Sequence, residues 1–70
     1  MHAEITRLAV VRFAEGWRIV DRRHRWGRFD YRVDAEEAAL RLAGRIGSQG
    51  GEVQVLVQEH NGELRPLKVA

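Results

Sequence analysis

The chain has 70 residues, twelve basic and ten acidic side chains, a net charge of +2 and no cysteine, so we expect one domain over residues 1–70. The lack of cysteine excludes disulfide bonds and thiolate metal sites, and the three histidines, His2, His24 and His60, show no metal-ligand spacing. No apolar segment reaches the roughly 18–20 residues of a membrane span and no secretory signal begins the chain, so we expect a protein of a bacterial-type cytoplasm.

The first predicted strand is Ile5–Phe13, which has apolar side chains on both faces. Its odd-numbered apolar side chains share one face, and its even-numbered ones, Leu8 and Val10, lie on the other. A strand of this kind is covered on both sides or is central in its sheet. The sequence Ala14-Glu15-Gly16 then predicts a hairpin turn in which Gly16 takes a positive φ.

A second strand is predicted from Trp17 to about Arg22, and a third from Arg28 to Val33. In both, aromatic or aliphatic side chains alternate with charged ones, which indicates one buried and one solvated face. The segment Arg23–Gly27 between them is predicted to be a polar connection in which Trp26 is exposed.

The helix is predicted from its N-cap Asp34 to near Gly47, or on to Gln49, with Gly50 ending it. Glu37 stands three residues after Asp34, as in a capping box, and acidic residues in the first turn suit the helix dipole. The apolar side chains form one stripe at helical spacing, consisting of Ala35, Ala38, Ala39, Leu42, Ala43 and Ile46. So many alanines allow the helix to lie close to the surface that it covers.

Val53–Gln58 predicts a fourth strand and Leu64–Val69 a fifth, and Asn61-Gly62 between them is typical of a type I′ hairpin turn. Pro66 places the fifth strand at a sheet edge, because proline lacks the N–H that a central strand donates. The predicted fold is therefore α+β, in the order β-β-β-α-β-β, with one helix packed on one face of a mainly antiparallel sheet.

Positive charge is concentrated in one segment of the chain. Residues 16–32 carry six arginines against two aspartates, a net charge of +4, while the rest of the chain is net negative. Arginine binds phosphate and aromatic rings stack on unpaired bases. A nucleic-acid-binding surface would be formed by Arg18, Arg22, Arg23, Arg25, Trp26, Arg28 and Arg32. The alternative is a solvated arginine face without a ligand.

The sequence indicates no catalytic constellation, cofactor or metal site. There is no cysteine nucleophile, and Ser48, the one serine, stands in a glycine-rich segment. Asp21 and His24 are three residues apart at a strand end, where we expect them to point to opposite faces. The pair Glu36-Glu37 suits helix capping better than acid-base catalysis, so we do not expect an enzyme.

Four short motifs resemble those of a known family: Gly16-Trp17-x-Ile19, Asp34-Ala35-Glu36-Glu37-Ala38, Gly50-Gly51-Glu52-Val53-x-Val55 and Asn61-Gly62-Glu63-Leu64. Over about residues 16–65 the chain resembles the short bacterial family catalogued as domain of unknown function 2188. This resemblance implies a Trp-containing hairpin, a capped helix and a final hairpin. A second similarity is to the fold of HicB-type antitoxins, which begins with three strands, a helix and a strand. Neither resemblance implies catalytic residues.

The leading functional hypothesis is a non-enzymatic interaction domain that associates with itself, as a homodimer, or with another protein. One helix covers one face of the sheet, and a small monomer seldom leaves the other face apolar and wet. The contact would use an edge strand or the open face, where we expect Leu8, Val10, Val20, Leu56 and Leu67. The alternative function is a nucleic-acid-binding module that uses the segment 17–32.

Overall fold

The computed structural model describes residues 5–67, which form a five-stranded sheet with one helix packed on one face. In chain order the elements are β1 Ile5–Phe13, β2 Gly16–Val20, β3 Arg25–Phe29, α1 Arg32–Ser48, β4 Glu52–Gln58 and β5 Leu64–Pro66. The α+β fold and its predicted β-β-β-α-β-β order are confirmed. The end of the predicted fifth strand, 68–69, lies outside the described residues.

The strand order in the sheet is β3-β2-β1-β4-β5, so β1 is the central strand, as its two apolar faces indicate. Three of the four neighbouring pairs are antiparallel, while β1 and β4 are parallel. Parallel neighbours need a crossover connection, which α1 supplies as it carries the chain from the β3 edge to the far side of β1. The prediction of a mainly antiparallel sheet is confirmed.

The hydrophobic core lies between α1 and the sheet face that it covers. The buried side chains of α1 are three alanines of the predicted stripe, Ala35, Ala39 and Ala43. They pack on a buried cluster of strand side chains, which consists of Leu8, Val10, Ile19, Val55 and Val57. Val10 pairs with both Ile19 and Val57, so that β2, β1 and β4 contribute side by side to the core.

Leu8 and Val10 are fully buried under α1, and the prediction that they lie on the open face is wrong. Leu67 also packs against this core, and its backbone N–H donates to the Val55 carbonyl oxygen at 2.8 Å. Alternation along a strand fixes which side chains share a face. Because β1 is apolar on both faces, the pattern could not tell which of them the helix would cover.

β3 starts three residues earlier than predicted and contains a β-bulge. Ile19 pairs with Trp26 and Trp17 pairs with Phe29, so one β2 residue stands opposite two residues of β3. The first of these two is Gly27, whose φ of +62° is the left-handed conformation typical of such bulges. The bulge turns Trp26 and Phe29 to the helix-covered face, where both pack against the core. The predicted exposure of Trp26 is therefore wrong.

The helix α1 begins at Arg32, two residues before the predicted N-cap Asp34. The capping residue is Tyr31, whose side chain makes no capping hydrogen bond, and Asp34 lies within the first turn. Arg32 Nε donates to Glu36 Oε2 at 2.7 Å, which ties the first turn together. Because the chain leaves the sheet before this point, Tyr31 and Val33 do not belong to the third strand and are exposed.

The end of α1 agrees with its sequence signals. The last helical residue is Ser48, between the two predicted ends. Gly50 follows with a φ of +88°, the left-handed conformation that commonly ends a helix. The Gly51 N–H donates to the Ile46 carbonyl oxygen at 3.1 Å, which satisfies one carbonyl of the last turn.

Both hairpin turns differ in type from those predicted. Five residues, 59–63, connect β4 and β5, and Gly62 has a φ of +90° whereas Asn61 does not have a positive φ. A type I′ turn needs positive φ at both central positions, so that prediction is wrong. In the turn between β1 and β2 the positive φ, +53°, falls on Ala14 and not on Gly16.

Candidate interaction surface

The sheet face that α1 leaves uncovered, the open face, carries apolar residues in a line across four strands. Their alignment follows from the register, since Ala9 of β1 pairs with Val20 of β2 and with Leu56 of β4. Leu56 in turn pairs with Pro66 of β5. We call Val20, Ala9, Leu56 and Pro66 the apolar row.

Further apolar side chains adjoin the apolar row on the open face. These are Ile5, Val11, Phe13 and Leu64, of which Ile5 is 46%, Phe13 42% and Leu64 48% exposed. Of the five residues predicted for this face, Val20 and Leu56 lie on it. The open-face residues of β1 are the odd-numbered ones. The sequence pattern assigned these residues to the covered face.

Three arginines frame the apolar row. Arg7 lies beside it along β1, and its Nε donates to Gln54 Oε1 at 3.3 Å. On the other side of the row, the guanidinium carbon of Arg18 lies 3.3 Å from the centroid of the Phe13 ring. Arg18 Nε is buried and has no hydrogen-bond partner among residues 5–67. Arg25 lies at the β3 end of the row. The open face therefore has an apolar centre and a basic margin, an arrangement found at protein interfaces.

Both edges of the sheet carry features that hinder pairing with another strand. The β3 edge has the bulge at Gly27 and the charged side chains of Arg25 and Arg28. The opposite edge strand, β5, is three residues long and ends at Pro66, which has no N–H to donate. Within the described part of the chain, the open face suits a partner better than either edge does.

Asp21 organises the turn between β2 and β3. Its Oδ1 accepts hydrogen bonds from the backbone N–H groups of Arg23, at 2.7 Å, and His24, at 2.6 Å. The Asp21 N–H donates to the His24 carbonyl oxygen at 2.9 Å, and His24 Nδ1 lies 3.5 Å from the carboxylate. The prediction that Asp21 and His24 point to opposite faces is wrong, because both lie in a turn. The hydrogen bond from Arg23 N–H is the main cause that lowers the pKa of Asp21 below its ordinary value.

Replacing Asp21 by alanine is expected to lower the midpoint of urea unfolding modestly, because the turn loses a charged acceptor for two backbone N–H groups. Since the pKa of Asp21 is lowered in the folded state, its contribution is present above the ordinary carboxyl pKa. It is lost as the pH falls through the folded-state value. Urea unfolding at neutral and acidic pH measures this loss.

The matched control for Asp21 is Asp21→Asn, which keeps an Oδ1 acceptor without a titratable group. We expect it to retain most of the stability lost in Asp21→Ala at neutral pH and to reduce the loss on acidification. A pH profile of Asp21→Asn identical to that of the parent would show that Asp21 does not cause the acid sensitivity.

The structure separates the residues of the predicted nucleic-acid surface. Arg18 and Arg25 lie on the open face, and Arg22 and Arg23 lie in the β2–β3 turn. Arg28 lies at the bulge, Trp26 packs against the core, and Arg32 lies at the start of α1. The predicted set is therefore not one continuous surface.

Arg32 is occupied by neighbouring carboxylates. Its Nε lies 2.7 Å from Glu36 Oε2 and its Nη2 lies 3.7 Å from Glu59 Oε1. The hydrogen bond to Glu36 is the main cause that raises the pKa of Arg32. Arg32 thereby joins α1 to the segment that follows β4.

Within residues 5–67, no group of three or more His, Asp or Glu side chains is placed to hold a metal ion. The helix formed by this part of the chain is not long and apolar enough to cross a membrane. Glu36, from the acidic pair weighed for catalysis, is bonded to Arg32.

Comparison of the chain with models of known protein families, with curated proteins and with solved structures finds no match. The resemblances to domain of unknown function 2188 and to HicB-type antitoxins therefore stay predictions from sequence motifs.

Proposed function

We propose that this protein is a non-enzymatic interaction domain that forms a homodimer through the open face of its sheet. The observation that carries the proposal is the apolar row, which crosses four strands on the face that α1 does not cover. Burial of apolar surface contributes about 25 cal/mol for each Å² removed from water. The arginines at the margin suit the polar rim of such an interface.

The symmetry of the open face supports a second copy as the partner. A twofold axis along β1 exchanges the two halves of the sheet, so that Val20 lies over Leu56 across the interface. The same axis places Arg18 and Arg25 over the β4–β5 half of the other copy. In that half, Gln58 of β4 lies level with Arg18 and Pro66 of β5 lies level with Arg25, so neither arginine meets another cation.

The dimensions of the open face also fit a dimer contact. Five strands at about 4.8 Å spacing make the face about 24 Å wide, and the nine residues of β1 extend about 30 Å. A standard interface buries about 800 Å² on each partner, roughly one seventh of the 5547 Å² accessible surface of this chain. A contact of that extent would use the whole open face and residues around it, because the strands other than β1 have only three to seven residues.

Sedimentation equilibrium from micromolar to millimolar protein tests the proposal. We expect reversible dimerisation that strengthens with added salt, because the twofold axis along β1 brings the Arg7 side chains of the two copies together and like charges repel at low ionic strength. Leu56→Lys places a charge in the apolar row and is expected to raise the dimer dissociation constant by more than about tenfold.

The matched control is Tyr31→Lys, which introduces the same charge at an exposed aromatic residue outside the open face. It should leave the dissociation constant unchanged. Circular dichroism shows whether Leu56→Lys keeps its fold. A parent protein that is monomeric at every concentration, or equal weakening by both folded variants, would refute the homodimer.

A further inference from the structure

A second surface lies where the start of β1 meets the β2–β3 turn. Here a cavity of about 160 Å³ is lined by Ile5, Thr6, Arg7, Asp21, Arg22 and Arg23. A cavity of this volume has room for a phosphate group. None of the lining residues belongs to the apolar row, although Ile5 and Arg7 lie at the margin of the open face.

The arginines of this cavity extend from backbone that the fold holds in place. The Asp21 carboxylate fixes the turn by accepting the N–H groups of Arg23 and His24. Arg7 stands in the central strand, and its bond to Gln54 uses one of the five donors of its guanidinium group. Backbone that is already ordered lowers the entropy cost of bringing several cationic groups to one ligand.

The charge of the cavity favours an anion. The lining residues include three arginines and one aspartate, Asp21, which gives the lining a net charge of +2. Among residues 5–67, no carboxylate oxygen lies within 4.0 Å of the guanidinium nitrogens of Arg7, Arg22 or Arg23. This distinguishes them from Arg32, which is paired with two glutamates.

We propose that the cavity binds a phosphate group through the guanidinium groups of Arg7, Arg22 and Arg23. The planar guanidinium group matches two phosphate oxygens at once, and such charge-assisted bonds are about twice as strong as neutral ones. Inorganic phosphate and the phosphodiester of a single-stranded polynucleotide present the same oxygens. Arg25 and Arg28 of β3 are also exposed and offer further phosphate contacts for a polynucleotide.

Titration with inorganic phosphate, followed by two-dimensional NMR of the backbone amides, tests the site directly. We expect the signals of residues 5–7 and 21–24 to shift, and those of α1 to stay in place. Addition of an oligothymidylate of about 12 nucleotides then distinguishes the two sources. Displacement of phosphate from the cavity indicates a polynucleotide, whereas binding of phosphate without displacement indicates the free ion; both results support the site.

The double variant Arg22→Gln/Arg23→Gln is expected to weaken phosphate binding at least about tenfold. If the oligonucleotide binds, the same variant should reduce the slope of log affinity against log salt by about two. The control Arg41→Gln/Arg45→Gln removes the same charge from exposed positions of α1 and should leave binding unchanged.

The proposal would be overturned if the NMR signals of the residues that line the cavity do not shift with phosphate, or if both double variants lose the same phosphate affinity. Failure of the phosphate site is distinguishable from failure of the homodimer, because added salt weakens phosphate binding and strengthens the contact between open faces. The variant Leu56→Lys should accordingly bind phosphate as the parent does.

Discussion

The substitution Leu8→Ala is expected to leave most of the protein unfolded at room temperature. Leu8 is fully buried beneath α1, and truncating a buried leucine to alanine costs about 2–5 kcal/mol. The core of a domain of this size supplies only about 3–5 kcal/mol, so the loss is comparable to the whole stability. Urea unfolding followed by the fluorescence of Trp17 and Trp26, which pack against the core, measures the change.

The control for Leu8 is Leu64→Ala, which deletes the same atoms from an open-face residue that is 48% exposed. We expect this change to cost less than about 1 kcal/mol of unfolding free energy. A Leu8→Ala protein as stable as Leu64→Ala would place Leu8 outside the core. The assignment of the two faces of β1 would then have to be reversed.

Gly16→Ala is expected to destabilise the protein by about 1–3 kcal/mol, although Gly16 does not have a positive φ. A Cβ atom at Gly16 would lie 2.5 Å from the carbonyl oxygen of Phe29. Because this oxygen belongs to the backbone of the neighbouring strand, β2 and β3 must separate to relieve the overlap. Urea unfolding compares the free energy of the variant with that of the parent.

Gly44→Ala adds the same methyl group and is expected to have the opposite effect on the free energy of unfolding. A Cβ atom at Gly44 would meet no other side chain or strand of the described part of the chain within 4 Å, and glycine inside a helix is less favourable than alanine by about 1 kcal/mol. The variant should therefore be more stable than the parent. Stabilisation by both substitutions would show that β2 and β3 are not in the close contact described above.

Most elements of this fold could be predicted because their signals are local. β1 has the bounds predicted from its apolar pattern, Ile5–Phe13. The alanine stripe likewise identified α1, and its residues Ala35, Ala39 and Ala43 form the buried side of the helix. In both cases a single periodicity extends over many residues and no competing signal interrupts it.

The segment between β2 and α1 could not be predicted in the same way. The alternation of Phe29, Tyr31 and Val33 imitates a strand, but the last two lie outside the sheet and are exposed. The bulge at Gly27 changes the periodicity, so that alternation no longer assigns the faces. A useful signal is Asp21 before the polar residues 22–25, a pattern typical of a turn closed by an aspartate side chain.

The open face could be predicted to exist, but its composition depends on strand pairing. Ala9 and Leu56 share the apolar row because β1 and β4 are parallel in one particular register. The cavity depends equally on pairing, since it joins residues 5–7 with 21–23. Contacts between distant segments leave no trace in local periodicity, and an apolar pattern on both faces of β1 permits either orientation.

The parallel pair of β1 and β4 has a consequence for the order in which the chain folds. Arg7 and Gln54, which meet across this pair, are 47 positions apart. During synthesis β1 can join β2 as soon as both have emerged, but its second edge stays open until β4 has left the ribosome. Contacts between distant positions slow folding, so the nascent chain passes through a stage at which β1 is exposed to pairing with other chains.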